Sequence, residues 1–420
     1  MALLSALLGL SIVLMPKGIY EQVMDESDLM AGNFTLILFI ASCVLGFILG
    51  ARIVSSLASS AEVPPIAKPL DQELRAVQTY RYALVFGVFT VLWNFIGSIV
   101  FVASNNLTAA LASGNGEVLR DALIDDWAEG KFGVTSLMPV TAAFCYWSLD
   151  RYFNHGSLLD EQVQKKWSRL LVFCIASQGF AAIVMLQRSI LIPFVVSILL
   201  LLSARKWHKD GVSLTRGMGF GLMIAIFSAG LFLFIALFRD SGEKSIFYFL
   251  FGYIPASYNR LAATLSGDLV PAFPDRGYYS FRWLLFPPII RRFLPMKDIG
   301  EYITDSKMPA SIVDSWILEF SSVGDSGLIS FFIWPTAYGY AYFDFGWFSF
   351  VYFAVFGVMA AIVWRNFIQH KTAFSAVLYP VIASGILLWS TDNFLALPSL
   401  GAYILVALAL AQLEKIRLFR

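Results

Sequence analysis

The sequence predicts an all-α fold: a polytopic transmembrane helix bundle of about ten spans, with one long external loop containing short interfacial helices. Three observations predict it. The first is composition. Of 420 residues, 58% are hydrophobic, 16% aromatic and only 14% charged, with a mean hydropathy of +0.71. A soluble domain carries about 25% charged residues, so a water-soluble chain of this size would lack the charge to cover its surface. The second is a series of apolar runs of spanning or near-spanning length, at 1–16, 33–54, 82–103, 132–149, 170–187, 189–204, 217–238, 346–364, 373–391 and 397–413. Lipid tolerates only helices and closed barrels, and these continuous runs lack the period-two alternation of barrel strands. The third is the distribution of Lys and Arg between the runs.

The first run, Met1–Met15, covers roughly 22 Å at 1.5 Å per residue, against about 30 Å of hydrocarbon. It lacks the basic segment and small-residue cleavage site of a signal peptide. It reads as a short first span, or as part of a chain that starts upstream. The acidic turn Glu21–Asp28 follows. Ser55–Leu70, with Pro64-Pro65 and Pro69, reads as a linker between the second and third spans. Acidic Glu117–Glu129 precedes the fourth. The fifth and sixth are separated by little more than Arg188, which predicts a tight helical hairpin.

Orientation follows from the basic residues of the short loops. One set carries Arg52, Lys68, Arg75, Arg81, Arg151, Lys165, Lys166, Arg169, Arg205, Lys206, Lys209, Arg216, Arg365, Lys371, Lys415, Arg417 and Arg420. The other carries only Lys17, Arg120, Lys131 and Arg188. The two sets alternate across ten spans, which predicts cytoplasmic amino and carboxyl termini in a plasma membrane.

The stretch 239–345 breaks the short-loop pattern. It divides the chain into spans 1–7 (1–238), a large external segment (239–345) and spans 8–10 (346–420). Connections this long are usually functional. Phe247–Leu265, Phe281–Ile290 and Leu328–Phe343 are aromatic and apolar but interrupted by Pro255, Pro287-Pro288, Pro335 and Gly339. They are expected to lie at the interface or to dip in against other helices, or else to supply one further pair of spans.

Several function classes lose support. Net charge is +1, too little to attract nucleic acid. Cys43, Cys145 and Cys174 all lie in apolar runs, with no Cys/His ligand spacing, so neither a disulfide framework nor a metal site is predicted. The chain has no P-loop, no GxGxxG, no HExxH and no GxSxG, which argues against ATP-driven and nicotinamide-dependent chemistry; no cofactor is predicted.

The external segment is rich in arginine: Arg239, Arg260, Arg276, Arg282, Arg291 and Arg292, against three lysines. Arg188 falls on the same side. A guanidinium matches phosphate oxygens bidentately, so Arg188, Arg239, Arg260 and Arg282 are candidates for binding a lipid-linked phosphate or pyrophosphate. The alternative is that each pairs with a loop acid or snorkels to headgroups. Arg260 follows Pro255, which would open a helix at its first position. Tyr253, Tyr258, Tyr278, Trp283 and Tyr342 offer faces and hydroxyls that suit sugars; the alternative for them is the aromatic belt of the interface.

Asp344 stands at the start of the eighth span, after Tyr338, Tyr340 and Tyr342. It is a candidate base or hydroxyl positioner, with an N-cap as the alternative. Asp392 is similarly placed, and Asp240 is the second catalytic candidate. His155, His208 and His370 all map to cytoplasmic loops, so an external reaction would have no histidine base. The acids at 21–28 are read as a solvated turn, with a functional acid of the first external loop as the alternative.

These residues carry a resemblance. Leu186-Gln-Arg188-Ser189, the apolar span ending at basic Arg205-Lys206, the long arginine-bearing loop, and Tyr342-Phe-Asp344-Phe-Gly346 before an aromatic span with Gly357 resemble bacterial O-antigen polymerases, the Wzy-type oligosaccharide repeat-unit polymerases. The resemblance covers roughly 170–365. It implies a metal-independent glycosyltransferase of the bacterial inner membrane. The substrates would be undecaprenyl-pyrophosphate-linked oligosaccharides at the outer leaflet, with membrane lipid and a chain-length regulator as further partners. Arg188, Arg239, Arg260 and Arg282 would stabilise the leaving pyrophosphate, and Asp344 or Asp240 would orient or deprotonate the acceptor hydroxyl. A ligase of the same clan is the enzymatic alternative, and the lack of an external histidine counts against it. A lipid-linked glycan flippase is the non-enzymatic one; it would predict internal repeats and charged span interiors, which are not seen.

Overall fold

A computed structural model describes residues 1–57, 69–108, 118, 122, 134–185, 188–210, 246–273, 277–285, 312–330 and 332–416. Among these the regular structure is helical throughout, with no strand. The helices are α1 (Ala2–Val13), α2 (Lys17–Met24), α3 (Phe34–Leu57), α4 (Pro69–Ser104), α5 (Val134–His155), α6 (Glu161–Val184), α7 (Arg188–Asp210), α8 (Ile246–Tyr253), α9 (Pro255–Ser266), α10 (Ile312–Asp325), α11 (Thr336–Phe345), α12 (Ser349–Arg365), α13 (Ala373–Leu387) and α14 (Ser399–Ile416).

Four stretches among the described residues are long and apolar enough to cross a membrane: Phe34–Ser56, Gln72–Ser104, Glu161–Val184 and Thr336–Gln369. The first run of the sequence is bent. α1 and α2 meet at 87° across Leu14–Pro16, and together they make a fifth candidate. Pro16 has no N–H to continue the first helix, which explains the break. α7 and α13 are apolar over shorter lengths, at Ile190–Arg205 and Ala373–Leu387. The run at 217–238 lies outside the described residues.

α3 and α12 run side by side in the same direction with their backbones touching. A Cβ on Gly46 would strike the carbonyl of Phe350, one on Gly50 that of Ala354, and one on Gly357 that of Phe47. Gly46 and Gly50 form a small-xxx-small pair, the device that lets helices approach in lipid, where no hydrophobic effect drives them together. α4, α5 and α6 are joined by a buried polar knot. Asn94 donates to Gln178 Oε1 at 2.9 Å, Thr141 donates to the same oxygen at 2.7 Å, and Gln178 donates to the carbonyl of Met138 at 3.1 Å. α7 and α13 are tied by Ser197, which donates to Ser384 Oγ (2.9 Å) and to the carbonyl of Pro380 (3.0 Å).

The carboxyl-terminal ends of α5, α7 and α14 gather in one charged network. Arg151 donates to both oxygens of Glu414, at 2.8 and 2.9 Å, and to the carbonyl of Lys371 at 2.7 Å. Trp147 adds a bond to Glu414 at 3.0 Å, and Arg205 pairs with Asp150. α14 has 18 residues, so its opposite end lies about 27 Å away at 1.5 Å per residue. That second end holds α9, α11 and the loops around them.

The described parts of 239–345 share a hydrophobic core with the bundle. Ala256, Tyr258, Leu261, Phe332, Ala337, Tyr338 and Ala341 pack with residues of α1, α3, α5, α7 and α13. α9 begins with Pro255 at its first turn, as expected, and ends on Gly267 in the left-handed conformation (φ +84°). Every residue from Pro255 to Thr264 is buried. These segments dip in against other helices and do not stand apart.

Candidate functional site

Gly277, at φ +67°, opens a turn in which Phe281 N–H bonds back to the Gly277 carbonyl at 3.0 Å. The turn aims two consecutive backbone amides at α11. Asp344 accepts both: Tyr279 N–H at 3.3 Å on Oδ1 and Ser280 N–H at 2.6 Å on Oδ2. Tyr340 and Asp344 are four residues apart, so they share one face of α11. Asp344 does not cap α12, whose N-cap position is Phe348 with no side-chain hydrogen bond. It holds the 277–282 loop instead.

That loop delivers Arg282. Its guanidinium donates to Glu319 Oε1 of α10 at 2.7 Å. It also lies 4.9 Å from the ring centres of Tyr278 and Tyr279 and 5.3 Å from that of Tyr340, so three aromatic faces surround the cation. Burial opposes the charged guanidinium, but the Glu319 carboxylate and the surrounding tyrosines outweigh it and hold Arg282 above the ordinary arginine value.

The second wall is the turn between α13 and α14. It is pinned to α11 by Ala337 N–H on the Trp389 carbonyl (2.9 Å) and to α9 by Ser257 on the Thr391 carbonyl (3.4 Å). Thr336, next to the first of these bonds, is fully buried at φ +65°. A β-branched residue there is a backbone outlier, strained by about 1–3 kcal/mol, which the surrounding contacts must hold in place. The turn presents Asp392 and Asn393. Asp392 Oδ1 accepts the Asn393 N–H at 2.6 Å, and the side chain is half-buried. Burial pushes its carboxyl up to about 6, against the pull of Arg282 and the Asn393 amide, while Glu319 adds to the rise.

Two polar atoms here, Arg282 Nε and Tyr340 OH, are buried without a protein hydrogen-bond partner. The Tyr352 hydroxyl is within bonding reach of the Asn393 and Ser280 side chains, and Tyr340 lies within the field of Asp392 and Arg282. Buried polar groups are nearly always satisfied, so these two exceptions mark a place open to an outside partner. Among the described residues Glu319 offsets Arg282, and Asp344 and Asp392 make the balance acidic. Carboxylate acceptors, hydroxyls, N–H donors and aromatic faces together match the edges and faces of a polyol. Among the described residues no three His, Cys, Asp or Glu side chains converge as a metal ion needs.

The predicted residues divide into three groups. Asp344, Arg282 and Tyr278 come together in this site. Arg260, Tyr258, Tyr253 and Tyr342 are engaged elsewhere. Arg260 is fully buried and donates Nε to the Phe332 carbonyl (2.6 Å), Nη2 to Glu26 Oε2 (2.8 Å) and the Ile329 carbonyl (2.9 Å), and Nη1 to Glu26 Oε1, with Tyr20 OH and the Ala256 carbonyl at 3.3 Å. No donor remains for a pyrophosphate, so the role expected of Arg260 is corrected to a structural tie. Tyr258 is fully buried against Gly9 of α1, which places it in the core and away from any glycan. Tyr253 stacks on Trp334 at 5.4 Å, and Tyr342 meets Phe39 of α3 edge-on at 5.3 Å. Trp283, one residue beyond Arg282, is half-buried against the main core. Arg239, Asp240 and the side chain of Arg188, which begins α7, lie outside the described residues.

Glu26 is a second correction. The acidic turn was expected to be solvated, yet Glu26 is buried and accepts Arg260, Tyr20, Asn259 Nδ2 (3.0 Å) and the Ile329 N–H (2.8 Å). Sequence reasoning also missed Glu319, Ser280, Tyr340, Tyr352 and Asn393. The one available signal was the Thr391-Asp392-Asn393 triplet, polar residues between two apolar runs. No family model, curated protein or solved structure matches this chain.

Proposed function

We propose that the protein is a glycosyltransferase that polymerises undecaprenyl-pyrophosphate-linked oligosaccharide repeat units at the periplasmic face of the bacterial inner membrane. The observation that carries this reading is the acidic, tyrosine-walled cluster, with Arg282 Nε and Tyr340 OH buried and unpaired, at one end of an apolar helix bundle. It suits a sugar acceptor. The leaving pyrophosphate would fall to Arg188 and Arg239, because Arg260 and Arg282 are committed to carboxylates.

The bundle would cross the membrane about ten times with both termini cytoplasmic. Two features support this. α3 and α12 run parallel, and so do α4 and α6, while α4 and α5 run opposite, as strict alternation requires. The basic network of Arg151 and Arg205 also lies at the end away from the cluster. Leu45, Leu49, Leu92, Ile96, Val351 and Val355 are exposed and would face lipid.

The test is product formation from purified protein and purified lipid-linked repeat units. Polymers of increasing repeat number are expected. Transfer only onto a lipid core would replace this reading with a ligase, and movement of the substrate across a vesicle without transfer would replace it with a flippase.

A further inference from the structure

Resting on the polymerase reading, we infer that Asp392 is the general base of the transfer and that Asp344, the carboxylate marked by the sequence, is a positioning residue. The two acids differ in what their oxygens do. Asp344 spends both on backbone amides of the loop that carries Arg282, and taking a proton would release that loop. Asp392 spends only Oδ1, on the amide of its own neighbour.

Asp392 also sits beside the two unpaired groups. Tyr340 OH lies within its field from α11, and Arg282, with Nε unpaired, within its field from the 277–285 loop. Among the described residues the charges that face it are Arg282 from the 277–285 loop and Glu319 from α10. A sugar bound to the unpaired donors would bring a hydroxyl to Oδ2. Its oxygen would attack the anomeric carbon of the donor chain, and the carbon–oxygen bond to the lipid pyrophosphate would break. The bonding pair leaves with the pyrophosphate, and the hydroxyl proton passes to Asp392 and then to solvent. Burial pushes Asp392 and Asp344 alike up to about 6, which suits a base that must be ionised near neutral pH yet accept a proton, so the spare Oδ2 is what singles out Asp392.

The test is a pH–rate profile of polymer formation by purified protein with lipid-linked repeat units, for wild type, Asp392→Asn and Asp392→Glu. Wild type is expected to lose rate as pH falls through about 6. Asp392→Asn should lose about 100- to 10,000-fold in turnover, with KM within a few-fold and the acid limb gone. Asp392→Glu should recover activity with the limb displaced. Wild-type turnover in Asp392→Asn overturns the base. If that variant does not fold, an acid limb that is unmoved in Asp392→Glu overturns it instead. A wild-type protein that forms no polymer overturns the polymerase reading, and the base falls with it; polymer from wild type and Asp392→Asn alike overturns the base alone.

Discussion

Asp344 and Ser280 are 64 residues apart in the chain, and the carboxylate of one receives the backbone N–H of the other at 2.6 Å. The same carboxylate takes the neighbouring Tyr279 amide, so one side chain sets the path of the loop that presents Arg282 to Glu319 and three tyrosines.

Removing that carboxylate should free the loop. Asp344→Ala deletes two charge-assisted acceptors, and a loss of about 2–4 kcal/mol is expected. Limited proteolysis is then expected to cut within 277–285 in Asp344→Ala and to spare that loop in wild type. A protected loop in Asp344→Ala would show that the tyrosine packing holds it unaided.

The Glu26–Arg260 pair should behave as a buried ion pair. Glu26→Ala or Arg260→Ala strands a charge and is expected to cost about 3–5 kcal/mol, while Glu26→Leu combined with Arg260→Met should cost less than either. Thermal unfolding in detergent, followed by tryptophan fluorescence, reads the difference. A double variant as unstable as the sum of the two singles would refute the coupling.

The same pair makes stability depend on pH. Burial works against the charge of Glu26, but Arg260 more than offsets it and holds the carboxyl below its usual range. A depressed carboxyl contributes fully above the unfolded value of about 4.3 and loses its contribution as pH falls through the folded value. The melting-temperature gap between wild type and Glu26→Gln should therefore be constant from pH 7 to about 5 and narrow below about 4. A gap that widens with acid would reverse the sign.

Gly50 should tolerate no side chain. Its Cβ would meet the carbonyl of Ala354, and backbone atoms cannot rotate away. Gly50→Ala is expected to cost about 1–3 kcal/mol and Gly50→Leu to part α3 from α12. The distance between spin labels on Leu45→Cys and Val351→Cys, both exposed, measures the separation; an unchanged distance in Gly50→Leu would show that the pair accommodates the side chain.

On the proposed reading the pyrophosphate falls to Arg188 and Arg239. Arg188→Ala and Arg239→Ala should remove polymer formation while leaving the melting temperature within about 2 °C of wild type. Normal polymer ladders from both variants would end the role.

The amino-acid sequence by itself determined the helical class, the start of a new helix at Arg188 and the helix opened by Pro255. All of these follow from local sums: hydropathy over a window, a charge between two apolar runs, a proline's missing N–H. Only the tertiary structure decided which carboxylate each arginine meets. Arg260 and Arg282 look alike in sequence, each a cation in an aromatic stretch between apolar runs. Yet Arg260 meets Glu26 from 234 residues away, and Arg282 meets Glu319 from 37. A one-dimensional pattern carries no register between distant segments. The donors a guanidinium has left depend on which carboxylates the folded chain brings within 3 Å, and so does the difference between a carboxylate that braces a loop and one that keeps an oxygen to spare.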